Sequence, residues 1–203
     1  IPFRKGNMLV LDSRSNTSDK INFNARAAGI FGFSAFATNT HFCLDNNKFN
    51  SFLSNSTEKD FFFGFTDTVW KLLHSKNIKH QKFFSNKILL HGGGWKKLQY
   101  LQISKDIFNS YLYKKYKFKK IINYYGMIEQ TGSIFFECKY GFFHTSKYND
   151  IIIRGKNLEV LKNNYKGLVQ LISLLPKSYP GNSILTEDLG IIHGEDDCKC
   201  GNF

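Results

Sequence analysis

Residues 61–77 read FFFGFTDTVWKLLHSKN, and the change of period inside this stretch decides the fold class. Phe61 to Phe65 are a short apolar run without a polar face, the pattern of a buried strand. From Thr66 the period becomes helical: Val69, Leu72 and Leu73 share one face, and Thr66 is placed to cap the helix. A strand that leads straight into an amphipathic helix is the repeating piece of an α/β fold.

The same alternation extends in both directions. MLVLD (8–12) and GIFGFSAF (29–36) read as short strand-type runs, and Cys43 lies in an apolar strand, HFCL. DNNKFNSFLSN (45–55) spaces Phe49, Phe52 and Leu53 as a helix does. KILLHGGGW (87–95) is a strand followed by a glycine turn. Ser104 caps a helix over 104–116, with Ile107, Tyr111 and Leu112 inward. IINYYG, SIFFEC, IIIR and LVQLISLL follow as strands. The expected architecture is α/β, a partly parallel sheet with helices, plus a strand-rich C-terminal sub-layer from KGLVQ onward.

Bulk properties exclude several classes of function. The 203 residues, 42% hydrophobic and 22% charged, suit an ordinary globular domain. No apolar run approaches the roughly 20 residues that span a bilayer, so no membrane span is expected. The first residues lack a signal-peptide pattern. The net charge of +12 comes from scattered lysines accompanied by heavy Asn, Ile, Phe and Tyr use, the mixture of an AT-rich coding sequence. Nucleic-acid binding is not expected from it. Four cysteines, two of them in C-x-C, favour thiols or metal ligands over a disulfide framework and fit a cytoplasmic location.

Four constellations carry chemistry. In HGGGWK, Gly92, Gly93 and Gly94 let the backbone approach a planar or phosphorylated ligand, or simply make a tight turn. In YYGMIEQ, Glu129 follows a strand-end glycine, where a carboxylate can hold Mg²⁺ beside phosphates or can stand solvated on a loop. Cys138 and His144 are spaced C-x5-H, and Cys198 and Cys200 form C-x-C. Together they supply the Cys₃His set of a tetrahedral structural zinc site, against the alternative of a buried Cys138 and a reactive C-x-C. In TEDLG (186–190), Asp188 is read as a turn residue able to accept from ribose hydroxyls. No G-x-S-x-G elbow and no H-E-x-x-H occurs.

In combination and in order, FNARAAGIFGFSAF, FGFTDTVW, ILLHGGGWKKL, YYGMIEQTGSIFFECKYGFFH, IIIRGKNLEV and LLPKSYPGNSILTEDLGIIHGEDDCKCG resemble the acyl-protein synthetases. These are the fatty-acid-activating component of the bacterial bioluminescence fatty acid reductase. They belong to the adenylate-forming superfamily, alongside the phenylacetate–CoA ligases. The resemblance implies that residues 1–203 form part of the large N-terminal, AMP-binding domain. A phosphate loop and a small C-terminal lid domain are expected to lie outside this chain.

The resemblance further implies ATP and Mg²⁺ as cofactors and a structural Zn²⁺. YGMIE is similar to the superfamily's Y-G-x-[ST]-E. Tyr125 would line the adenine, Gly126 would sit near the carboxylate being activated, and Glu129 would bind magnesium. Ile128 stands where the superfamily has Ser or Thr near the phosphate, and Thr131 is the candidate for a nearby hydroxyl in its place. Gly92, Gly93 and Gly94 would pass over the adenine, and Asp188 would bind the ribose. Cys138, His144, Cys198 and Cys200 resemble the zinc set of the phenylacetate–CoA ligase branch. The implied activity is ATP-dependent activation of a carboxylic, in particular fatty, acid and its transfer to a protein thiol, such as that of an acyl reductase. The alternatives are CoA or an amine as acceptor, as in surface-polysaccharide biosynthesis, or a non-catalytic zinc-stabilised scaffold.

Overall fold

A computed structural model describes residues 6–13, 24–43, 56–75, 83–95 and 103–201. The helix expected at 45–55 lies outside the described residues. The chain divides into two compact units, Ile1–Asn123 and Tyr124–Phe203.

In the first unit the strands are β1 (Met8–Val10), β2 (Thr40–Phe42), β3 (Phe61–Phe65) and β4 (Ile88–Gly92), followed by the first residues of β5 (Lys120–Gly126). Three helices are described: α1 (Ala25–Ser34), α2 (Thr66–Ser75) and α3 (Lys105–Tyr116). β2, β1, β3 and β4 pair in parallel in that order, with Met8 opposite both Thr40 and Phe61, and Phe61 opposite Ile88. Beyond β4 the sheet continues into β5.

Every residue of β3 is buried, as its unbroken apolar run requires. On one face Phe62 stacks on Phe84 at 4.6 Å and meets Phe118 edge-on at 5.7 Å. This face forms one core with Leu9, Leu11 and Leu89 from the sheet, Val69, Trp70 and Leu73 from α2, and Phe108, Leu112 and Tyr116 from α3. On the other face Phe63 contacts Phe33 of α1 at 4.8 Å. The result is a sheet covered by helices on both sides.

The helices depart from the sequence reading in instructive ways. GIFGFSAF was expected as a strand but lies largely in α1. Asn24 caps that helix by accepting from the Ala27 N–H at 2.9 Å. Ala27, Ile30 and Phe33 then make a buried helical stripe, which an apolar window beginning at Gly29 does not reveal. α2 buries Val69, Leu72 and Leu73 as expected. Thr66, however, is its first helical residue, not its cap. α3 has its Ser104 cap, accepting from Ile107 N–H at 3.3 Å. Its buried stripe is Phe108, Leu112 and Tyr116, while Ile107 is 57% exposed. The larger aromatic stripe wins the core, and Tyr116 donates its hydroxyl to the Leu73 carbonyl of α2 at 2.5 Å.

At the carboxyl ends of β1 and β3, Arg26 of α1 donates to Asp12 at 2.9 Å and to Asp67 at 3.3 Å, and lies over the Phe65 ring at 4.6 Å. This link joins the starts of α1 and α2 to the sheet edge.

In the second unit, β5 ends at Gly126 and a one-turn 3-10 helix covers Ile128–Gln130. β6 (Ile134–Glu137) pairs antiparallel with both β5 and β7 (Phe143–His144). A separate antiparallel sheet has the order β10-β9-β8, from Ser183–Gly190, Gly167–Ser173 and Asn149–Arg154. The strand-rich sub-layer expected from Lys166 onward is present in β9 and β10, and the sheet also takes in the earlier strand β8. Gly167, Val169, Leu171 and Ser173 alternate inward along β9, and Phe135, Ile153, Val169 and Leu171 form the core.

Gly64, inside β3, has no room for a side chain: a Cβ there would lie 2.6 Å from Val69 Cγ2 and 3.2 Å from Leu11 Cβ. Gly64→Ala is expected to destabilise by about 1–3 kcal/mol through overpacking. Gly32→Ala, in an exposed turn of α1 with nothing within 4 Å, should stabilise by up to about 1 kcal/mol. Urea denaturation of the two variants checks both signs.

Candidate functional site

In the first unit β4 delivers HGGG to the carboxyl end of the sheet. Gly92 is buried, Gly93 adopts φ +73°, and nothing lies within 4 Å of a Cβ built on Gly94. The Thr66 hydroxyl donates to the Gly92 carbonyl at 3.1 Å and lies 3.0 Å from His91 Nδ1. A hydroxyl has one hydrogen, so with that hydrogen on Gly92 the Nδ1–H of His91 is the donor to Thr66. Thr66 therefore fixes the glycine turn to the start of α2, which is the use of this residue that a cap assignment misses. Burial, with Lys105 adding to it, lowers the His91 pKa to about 3.

In the second unit the Tyr125 hydroxyl donates to Asp188 Oδ2 at 2.6 Å. Burial, reinforced by Asp188, raises the Tyr125 pKa, so the phenol stays neutral and remains the donor. Asp188 is not in a turn: it lies in β10, where the pairing register with β9 shifts between Leu185 and Leu189. Its N–H donates to Thr186 Oγ1 at 3.1 Å, and that hydroxyl donates to the Val169 carbonyl at 2.8 Å. The irregularity turns an exposed carboxylate toward Tyr125 while β10 stays paired on both sides of it.

Glu129 is exposed at the middle of the 3-10 turn. The Thr131 hydroxyl donates to the Ile128 carbonyl at 3.1 Å, and Ile128 is 42% exposed. A Cβ at Gly126 would press on the Ser133 carbonyl at 3.1 Å, so the β5–β6 pairing itself favours glycine there. Gln130 and Tyr179 hold this turn by long-range bonds for which the local sequence carries no signal.

Cys138, His144, Cys198 and Cys200 converge, with their four ligand atoms all within 4.8 Å of one another. Cys138 Sγ lies 3.9 Å from Cys198 Sγ, well beyond a disulfide, and Cys200 Sγ lies 3.4 Å from His144 Nε2. Two turns of one pattern present the thiols, CKYG (138–141) and CKCG (198–201). In each, the glycine N–H donates to the first cysteine's carbonyl, at 2.9 Å for Gly141 and 3.2 Å for Gly201. Both glycines have positive φ, +88° and +77°. Burial opposes ionisation of Cys138, but donors from Phe142, His144, Tyr140 and Cys198 outweigh it and bring its pKa to about 6. Three thiols and an imidazole in this arrangement could hold a metal ion.

A family model, "Acyl-protein synthetase, LuxE", matches residues 10–203. The chain belongs to this family. No curated protein sequence matches it. Among solved structures, the LuxE-family chain is similar to a benzoate CoA ligase from Burkholderia xenovorans LB400, at 12% identity and a TM-score of 0.60 over 91% of this chain and 39% of that one. The N-terminal subdomain of Klebsiella oxytoca NpsA, in complex with 3-hydroxyanthranilyl-AMSN, matches at 12% and 0.56, over 92% and 50%. ATP-bound MatB from Rhodopseudomonas palustris matches at 12% and 0.56, over 92% and 38%. The LuxE-family chain thus has the fold of the adenylate-forming enzymes' N-terminal domain and spans half or less of the length of these three structures. No described helix is long and apolar enough to cross a membrane.

His91 gives a pH signature for the first unit. Its folded pKa of about 3 lies below the ordinary 6.5, so between these values only the unfolded chain takes up the proton. Stability is therefore expected to fall with pH below 6.5, with His91 contributing about 1 kcal/mol per pH unit. Denaturant titrations at pH 7, 6 and 5 should show His91→Asn losing that part of the slope; parallel curves would remove the assignment.

Proposed function

We propose that the protein is an ATP-dependent acyl-protein synthetase. The carrying observation is the bond between Tyr125 and Asp188, two side chains 63 residues apart that the family resemblance assigns to one nucleoside. In the proposed reaction a carboxylate oxygen of the acid attacks the α-phosphorus of ATP. The bond to the β-phosphate bridging oxygen breaks, and pyrophosphate leaves with an acyl-adenylate formed. A protein thiolate then attacks the acyl carbon and AMP departs. Family membership supports a fatty acid as substrate and a protein as acceptor, with CoA or an amine as the runner-up acceptor.

The residues take the following parts. Gly92, Gly93 and Gly94 are assigned to the adenine, where Gly94 offers open backbone. Tyr125 is assigned to the adenine and Asp188 to the ribose hydroxyls, its carboxylate having acceptor sites beyond the one Tyr125 uses. Gly126 is assigned to the neighbourhood of the reacting carboxylate. The exposed Glu129 fits Mg²⁺, which takes one or two protein carboxylates and keeps its waters. Magnesium, when bound, supplies charge neutralisation on the phosphates. Thr131 is assigned to the phosphate side; its proton is shared with Ile128 O, so donation to a phosphate requires the hydroxyl to turn.

For Cys138, His144, Cys198 and Cys200 the fit to zinc is metric. Zn–S bonds of about 2.3 Å and Zn–N bonds of about 2.0–2.1 Å in a tetrahedron give edges of about 3.8 Å between sulfurs and about 3.5 Å from sulfur to nitrogen. Two of the six ligand–ligand separations, 3.9 and 3.4 Å, match these edges, and all four atoms lie within 4.8 Å of one another. The site is assigned a structural role, holding β7 and the C-terminal turn together.

The exposed Ile128, where the superfamily places a hydroxyl, favours a second reading, a non-catalytic scaffold of the same fold. Carboxylate-dependent exchange of labelled pyrophosphate into ATP by the full-length protein separates the two. We expect exchange with fatty acids, and Asp188→Ala lowering kcat/KM for ATP roughly 10- to 100-fold, as for loss of a charged hydrogen bond. Absence of exchange with a broad panel of acids, from folded protein, rejects the enzyme reading. Elemental analysis should find about one zinc per chain, with Cys198→Ser losing both metal and stability; a metal-free preparation of full stability contradicts the zinc assignment.

A further inference from the structure

Glu129 is carried by a single 3-10 turn, an element with almost no stability of its own. Its direction must come from what holds the turn. Inside the turn the Gln130 N–H donates to the Met127 carbonyl at 3.3 Å and the Ser133 N–H to the Gln130 carbonyl at 3.2 Å. From outside, two ties reach it. The Gln130 side chain is 0% exposed, and its Nε2 donates to Gly181 O at 2.9 Å and to Leu171 O at 3.3 Å. The Thr131 N–H donates to the Tyr179 hydroxyl at 3.0 Å.

Leu171 lies in β9, and Gly181 and Tyr179 lie in the segment that leads into β10, the strand bearing Asp188. The two hydrogens of one amide nitrogen satisfy two carbonyls from separate segments, which no apolar side chain of that volume can do. Turning the amide over would set its oxygen against both carbonyls, so its orientation is fixed. Among the described residues its Oε1 has no hydrogen-bond partner, a cost the site carries for the sake of the nitrogen.

We infer that Gln130 is a positioning residue that sets the Glu129 carboxylate relative to Asp188, with Tyr179 as a second brace. The inference rests on the adenylation reading above. It predicts that Gln130 acts through Glu129, hence only on the magnesium-dependent part of nucleotide binding.

The test is calorimetric titration of the full-length protein with ATP, once with excess Mg²⁺ and once in EDTA. Gln130→Met removes both donors at similar volume. The variant should bind MgATP roughly 10- to 100-fold more weakly, the usual effect of removing a group that orients a metal ligand. Its affinity for metal-free ATP should be unchanged, and amide hydrogen exchange over 128–131 should be faster than in the wild type. Unchanged MgATP affinity, or an equal loss with and without magnesium, overturns the inference. Where Gln130→Met does not fold, Tyr179→Phe is read the same way; the residue is 39% exposed and the change keeps its ring. Wild-type protein that binds no MgATP removes the adenylation reading and this inference with it, and that failure is seen before any variant is made.

Discussion

Strand β3 has no face turned to water, and that constraint organises the first unit. Phe62 needs one layer and Phe63 another, so helices must cover both sides of the sheet. The Phe62 side is closed by α2 and α3 through Trp70, Leu73, Leu112 and Tyr116. The Phe63 side is closed by α1 through Phe33. Covered faces leave only the strand ends for chemistry, where backbone groups run out of partners. Arg26 bridges Asp12 and Asp67 there, and Thr66 fixes the Gly92 carbonyl.

The second unit is held differently. Its described core cluster is small: Phe135, Ile153, Val169 and Leu171 are buried, with Tyr125, Met127, Ile151, Leu161 and Ile192 partly buried against them. Side chains compensate by bonding to distant backbone: Gln130 to Leu171 and Gly181, Thr186 to Val169, Asn182 to Ser173 and Pro176. The metal proposed at the cysteines would belong to the same strategy, because small cores are commonly supplemented by a structural ion. The residues assigned to ATP in this unit are thus mounted on polar ties more than on packing.

What could be read from sequence follows from the range of each interaction. The strand β3, the Ser104 cap and the buried face of α2 depend on neighbours within a few residues, so periodicity exposes them. The four metal-ligand candidates were readable because thiols and imidazole carry their chemistry with them wherever the fold takes them. α1 was misread because its cap, Asn24, precedes the apolar run. The face of α3 was misread because Phe108 and Tyr116 answer to Phe84, Trp70 and Leu73, far away in the chain. Asp188 was read as a turn residue because a register shift within a strand has no local signature. Gln130 lies between two residues with recognisable chemistry, Glu129 and Thr131, yet its own partners are 41 and 51 residues on.

The two C-K-x-G turns also impose an order of assembly. Cys138 and Cys198 are 60 residues apart, and between them lie β7, β8, β9 and β10. During synthesis the Cys138–His144 half leaves the ribosome first and offers an ion only two ligands. The other half arrives once the whole β8–β9–β10 meander has been made. A metal bound there, as proposed, would therefore gain its full ligand set only after the β8–β9–β10 segment has been synthesised.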